Sequence, residues 1–178
     1  MRKTVPVSLF VAAVTLLAPV PGLAQRADVK AEVLKDWTDM KAIIVKISNE
    51  MPEDKFGFKA TPPQRTYGEQ ILHIAGANLN FLKALGGRTA PPSIDLKATS
   101  KADIVRALEA SFDYGTALIN EQTPDSILEQ VKVPPFMGGT SSRARVAYFL
   151  LGHTWDTYGQ MVVYLRLTGH VPPASQRP

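Results

Sequence analysis

The chain contains no cysteine. That absence excludes disulfides, a cysteine nucleophile, thiolate metal ligands and a lipid-bearing cysteine. Stability must come from packing alone. Histidine is scarce, with only His73, His153 and His170. No serine, histidine and acid set has nucleophile spacing, and no glycine-rich phosphate loop occurs. Basic residues do not cluster with aromatics, so nucleic acid is not an expected partner. The longest apolar stretch, residues 5–20, falls short of the ~20 residues that a membrane span needs.

What the N-terminus does contain is a processing pattern. Arg2 and Lys3 precede the apolar stretch, and Gly22-Leu23-Ala24 puts small residues where signal peptidase reads. This predicts a signal peptide over residues 1–24, cleaved after Ala24. The expected product is a periplasmic or secreted protein with no stable membrane anchor. Removing Arg2 and Lys3 leaves 18 basic side chains against 16 acidic ones, a net of +2 in place of +4. Residues 25–178 are long enough for one domain with its own core.

Four segments carry helical periodicity. Over residues 28–51, Val33, Trp37, Met40, Ile44, Ile47 and Met51 keep a three-and-four spacing, and Pro52 stops the helix. The second runs over 67–85, opened by a Thr66/Glu69 capping box and closed by Gly86-Gly87. Its apolar face is Tyr67, Ile71, Ile74, Phe81 and Leu85, with His73 on an adjoining stripe beside Gln70, Ala77 and Asn80. The third runs over 101–121 behind Ser100 and Asp103, with Ile104, Leu108, Phe112, Gly115 and Ile119 inward. The fourth runs over 142–168, capped by Thr140, Ser141 or Ser142 and ended by Gly169. The connections 52–65, 86–99 and 122–140 are long for a bundle, and long connections permit crossovers. The alternating run Gln130-Val131-Lys132-Val133 reads as extended loop.

The fourth helix carries the chemistry. Phe149, Leu150, His153, Thr157, Gln160, Met161 and Tyr164 share one face, which aims an imidazole, a hydroxyl and a carboxamide into an apolar interior. Such groups need partners, water or a ligand. His73 and His153 sit mid-helix on facing elements, a common basis for a metal site in a bundle. Asp156 and Thr157 lie next to His153 on the helix. A histidine at 157 would complete a His-x-x-x-His pair, but threonine is a poor ligand. Arg166 suits the helix C-terminus and should pair with a carboxylate. His170 reads as a surface loop residue.

These motifs resemble the DinB family (DinB/YfiT-like), in its secreted branch. The matching residues are Thr66 to His73 (Thr-x-Gly-Glu-x-x-x-His), Ser100-Lys101, and the block from Leu151 to Arg166 followed by Gly169 and Pro172-Pro173. The resemblance covers residues 28 to 175. It implies an all-α four-helix bundle in up-down-down-up order. It also implies a divalent metal, nickel or zinc, held by one histidine of the second helix and two of the fourth. The first two positions fall on His73 and His153, and the third falls on Thr157. Some members of the family are transferases or isomerases that use a low-molecular-weight thiol.

Three arrangements follow for the site. Asp156 joins the two histidines as a carboxylate ligand, or the histidines hold a metal with water, or the metal is lost. In the last case His73, His153, Thr157 and Gln160 form a hydrogen-bonded pocket. The expected function is an exported DinB-like protein with an inter-helix pocket, a metal-dependent hydrolase or transferase acting on an unidentified small molecule. The alternative is a non-catalytic small-molecule binder, or an oligomeric interaction protein. A homodimer through helices 1 and 4 would bury Val162, Val163 and Leu165.

Overall fold

The computed structural model describes residues 28–176, so the predicted signal peptide over 1–24 lies outside the described residues. Four helices form where the periodicity placed them: α1 (Val29–Glu50), α2 (Tyr67–Leu82), α3 (Lys101–Asn120) and α4 (Arg143–Leu167). The last turn of the second segment, Lys83–Leu85, tightens to 3-10 geometry before Gly86 adopts a positive φ of 66°. The caps explain the starts. Thr66 and Glu69 make the full reciprocal box. The Ser100 and Ser142 hydroxyls each accept one amide of the first turn.

Cross-helix contacts give the direction of each helix. Lys30 reaches Asn120 and Lys101 reaches Asn49, so α1 and α3 are antiparallel. Gln70 meets Gln160 and Phe81 meets Phe149, so α2 and α4 are antiparallel. Asn78 bonds Ser111 and Gln122 bonds Leu85, so α2 and α3 run parallel. Asp36 lies beside Tyr148 and Thr168 beside Met51, so α1 and α4 run parallel. The order is therefore up-down-down-up, with α1 diagonal to α2 and α3 diagonal to α4.

The core sits on the predicted stripes. Val33, Trp37, Met40, Ile44, Ile47 and Met51 are all buried, as are Ile104, Leu108, Phe112 and Ile119. Trp37 fits because α3 offers Gly115 opposite it. Its indole N–H donates to the Phe112 carbonyl at 2.9 Å, and its ring stacks at 4.8 Å from the Phe112 ring. An added Cβ on Gly115 would come within 2.8 Å of Trp37 Nε1 and closer still to two ring carbons.

Three sequence expectations change. Residues 130–133 are not loop throughout: β1 (Gln130–Lys132) pairs antiparallel with β2 (Thr140–Ser142), Val131 opposite Ser141. The partner Thr-Ser-Ser has no apolar alternation, which is why its strand was invisible. Gly138 and Gly139, both at positive φ, bring the chain back. Leu165 is fully buried within the chain, so it is not available to a homodimer, whereas Val163 is exposed. Arg166 contacts the Ser175 hydroxyl at 3.5 Å and makes no carboxylate pair among the described residues.

Alanine is intrinsically the better helix former than glycine by ~1 kcal/mol. Gly115→Ala should nevertheless lower stability by about 1–3 kcal/mol, because overpacking against Trp37 outweighs that gain. Urea unfolding of both proteins measures the difference. Equal or greater stability in the variant would show that the indole moves aside freely.

Candidate functional site

The α2/α4 seam is held by polar contacts at several levels. Tyr164 O–H donates to the Arg65 carbonyl at 2.6 Å, just ahead of the α2 cap. One level further, Gln70 Nε2 donates to Gln160 Oε1 at 2.9 Å, and Gln160 Nε2 donates to Asp156 Oδ2 at 3.0 Å. Gln70 is 2 % exposed, so its amide must be satisfied inside the protein. The next level is His73 with His153. Their Nε2 atoms lie 3.0 Å apart, with ring centroids 4.8 Å apart and planes crossed at 63°.

Both imidazoles are pushed below the ordinary histidine range. For His73 the cause is burial first, then the positive charge of Arg65 and the neighbouring His153. For His153 burial leads again, Asp156 opposes it, and Arg65 adds to it. Near neutral pH the pair is therefore uncharged, with one Nε2–H donating to the other ring's bare Nε2. His153 Nδ1 is buried and has no hydrogen-bond partner among the described residues.

The pair opens on a groove of about 620 Å³. Lys59, Gln64 and Arg65 form one wall, and Phe81, Leu96 and Phe149 form the apolar part. Glu69 also lines it, but its carboxylate accepts the Thr66 amide at 2.6 Å. That bond, ahead of Lys59 and Arg65, holds Glu69 below the usual carboxylate range.

The sequence-predicted residues separate here. His73 and His153 come together and face the groove. Gln160 bridges to Gln70 and does not line it. Thr157 is 2 % exposed, and its hydroxyl donates to the His153 carbonyl at 3.1 Å. Asp156 is exposed and engaged by Gln160. His170 contacts the Thr168 hydroxyl beyond the helix end. Lys59, Gln64, Arg65 and Leu96 were missed, because they sit on connections without periodicity. The one usable signal was Arg65 standing directly before the Thr66 cap.

A divalent metal is the group the sequence resemblance implies. Two bonds of about 2.0–2.1 Å can span the separation of the two Nε2 atoms, and neutral imidazole is the ligating form. A third donor is missing: the Thr157 hydroxyl is turned onto backbone. Among the described residues no three His, Cys, Asp or Glu side chains gather at one point. The residues present fit two bonds of a metal site and not a third.

The fold and this seam define a four-helix bundle with a histidine-bearing groove between antiparallel helices. The model of the DinB superfamily matches residues 37–161. The chain belongs to that superfamily. Two solved structures are similar in fold. A DinB-like protein from Bacillus cereus is 19% identical with a TM-score of 0.68, covering 80% of this chain and 95% of that one. A DinB-like protein from Bacillus subtilis is 12% identical with a TM-score of 0.61, covering 82% and 99%. No curated protein sequence matches significantly.

The lowered histidine values fix a pH dependence. The unfolded chain binds protons near the ordinary value of about 6.5, while the folded imidazoles bind them at lower pH. The unfolded state thus holds more protons in that window, and stability falls as pH falls from 7 toward 5. Glu69, Asp103 and Glu121 are also depressed, but their contribution is lost below about pH 4.5. Urea midpoints at pH 7, 6 and 5 should drop less for His73→Gln/His153→Gln than for the wild type. Parallel drops would assign the effect to other groups.

Proposed function

We propose that this chain is an exported DinB-superfamily protein that binds a small organic molecule in the groove over His73 and His153. The imidazole pair is where a divalent metal, nickel or zinc, joins that molecule, in a metal-dependent hydrolase or transferase. The observation that carries this reading is the convergence of the two Nε2 atoms at 3.0 Å, from facing helices, at the floor of an open groove. A metal there would be held by the Nε2 atoms of His73 and His153, two protein ligands in place of three. Such a metal supplies Lewis acidity and lowers the pKa of bound water. His73 and His153 hold it in neutral form, and the Gln70–Gln160 bridge keeps the two helices in register. Residues 1–24 act as the export signal, a reading supported by Arg2 and Lys3 ahead of an apolar stretch that ends in Gly22-Leu23-Ala24.

A second reading has a specific observation of its own. The same 3.0 Å is an ordinary hydrogen-bond length, and Thr157 has satisfied its hydroxyl on the His153 carbonyl. On that reading the protein is a metal-free small-molecule binder.

Elemental analysis after loading with nickel, zinc and manganese separates the two. Metal-dependent chemistry requires about one bound ion per chain, lost in His73→Gln. Thr157→His should then tighten binding at least about tenfold, or roughly 1.4 kcal/mol. Binding by Thr157→His alone establishes the metal-free reading. No binding in either protein makes the pair a structural hydrogen bond.

A further inference from the structure

The groove carries positive charge that neither the fold nor a metal employs. Lys59 and Arg65 both line it, and neither is in an ion pair with any described residue. Both lie beside its one lining carboxylate, Glu69, which is already committed to the Thr66 amide. The root of Arg65 is also fixed, since Tyr164 holds its carbonyl. The side chain therefore starts from a fixed point at the groove edge, and both imidazoles feel its charge. On the same wall, Gln64 Oε1 is buried without a hydrogen-bond partner among the described residues. Next to these lie Leu72 and Leu96, while Phe81 and Phe149, with ring centroids 5.4 Å apart, line the groove toward the other end of α2, beyond the imidazoles. Phe136, 69% exposed, extends that aromatic wall outward at 6.0 Å from each ring.

We infer that the groove takes a small organic monocarboxylate, its carboxylate on Arg65 and Lys59 and its flat apolar body against Leu72 and Leu96. A guanidinium offers a carboxylate two parallel N–H donors, and charge-assisted bonds of this kind are about twice as strong as neutral ones. Two cations less Glu69 leave one net positive charge, which matches a monoanion. The volume lies within the roughly 300–1,000 Å³ of small-molecule sites. A hydroxyl or amide on the ligand body would satisfy Gln64 Oε1. The inference deepens the proposed function, and rests on its groove and not on its metal.

Benzoate and benzamide, alike in shape and differing in charge, test it on protein stripped of metal with EDTA and then freed of the chelator. Titration is followed by calorimetry and by the imidazole NMR signals of His73 and His153. Benzoate should bind and move both imidazole signals, with benzamide at least about tenfold weaker. Arg65→Gln should cost benzoate about tenfold and leave benzamide unchanged. Lys59→Gln should act in the same direction, and it lies outside the Tyr164 contact. Equal binding of the two probes, with the imidazole signals moving, keeps the groove as the site but overturns the carboxylate. Benzoate affinity unchanged in both variants overturns it as well. Imidazole signals that stay still with either probe overturn the groove reading and the carboxylate together.

Discussion

Polar groups on the inner faces of α2 and α4 must find partners, and that requirement sets the register of the whole seam. Gln70 is buried and can be satisfied only if Gln160 arrives opposite it. Tyr164 must reach the Arg65 carbonyl at the same time. A slide of one helical turn, about 5.4 Å, would break both contacts and leave buried groups unpaired. With that register set, His73 and His153 are brought to 3.0 Å as a consequence. The groove floor is thus an outcome of how two amides and a phenol are satisfied.

The crossover topology builds the rest of the site. α2 and α3 run parallel, so the chain leaving Leu85 must travel back along the bundle before Ser100 can cap α3. The 16 residues of α2 rise about 24 Å, which a tight turn cannot span. The long return passes the α2 face and lays Leu96 into the groove. The connection into α2 does the same on the other side with Lys59, Gln64 and Arg65. Long connections that would be excess in an up-down-up-down bundle here serve as groove walls.

This division explains what could be read from the sequence. The four helices, their inward stripes and the Thr66/Glu69 box were legible because each is a local pattern with a physical period or a fixed offset. The placement of His73 and His153 on facing helices was legible for the same reason: each sits mid-helix, on or beside an inward face. The β1–β2 pairing was not, because Thr140 to Ser142 carry no alternation and the pairing is set by the tertiary contacts around α4. Arg145, for example, ties the Met137 carbonyl to Ser141. Arg65 and Lys59 were not legible either. Charged residues in loops usually mean only solvent exposure, and their shared groove exists only once the crossover is in place. The burial of Leu165 also escaped the pattern, since α4 is covered by α1 as well as α2 and so has two inward faces.

Thr157 shows how a buried polar side chain can be satisfied without drawing on the frame around it. A polar residue left unpaired at 2 % exposure would be costly. Threonine avoids that cost by donating to the carbonyl one turn back, which belongs to His153 itself. The hydroxyl is thereby silent toward the groove, and the two imidazoles retain their contact. The fold depends on the Gln70–Gln160 and Tyr164–Arg65 contacts, not on residue 157. The side chain at 157 is therefore separable from the contacts that hold the two helices in register. The groove keeps Lys59 and Arg65, which pair with no carboxylate among the described residues, whatever stands at 157.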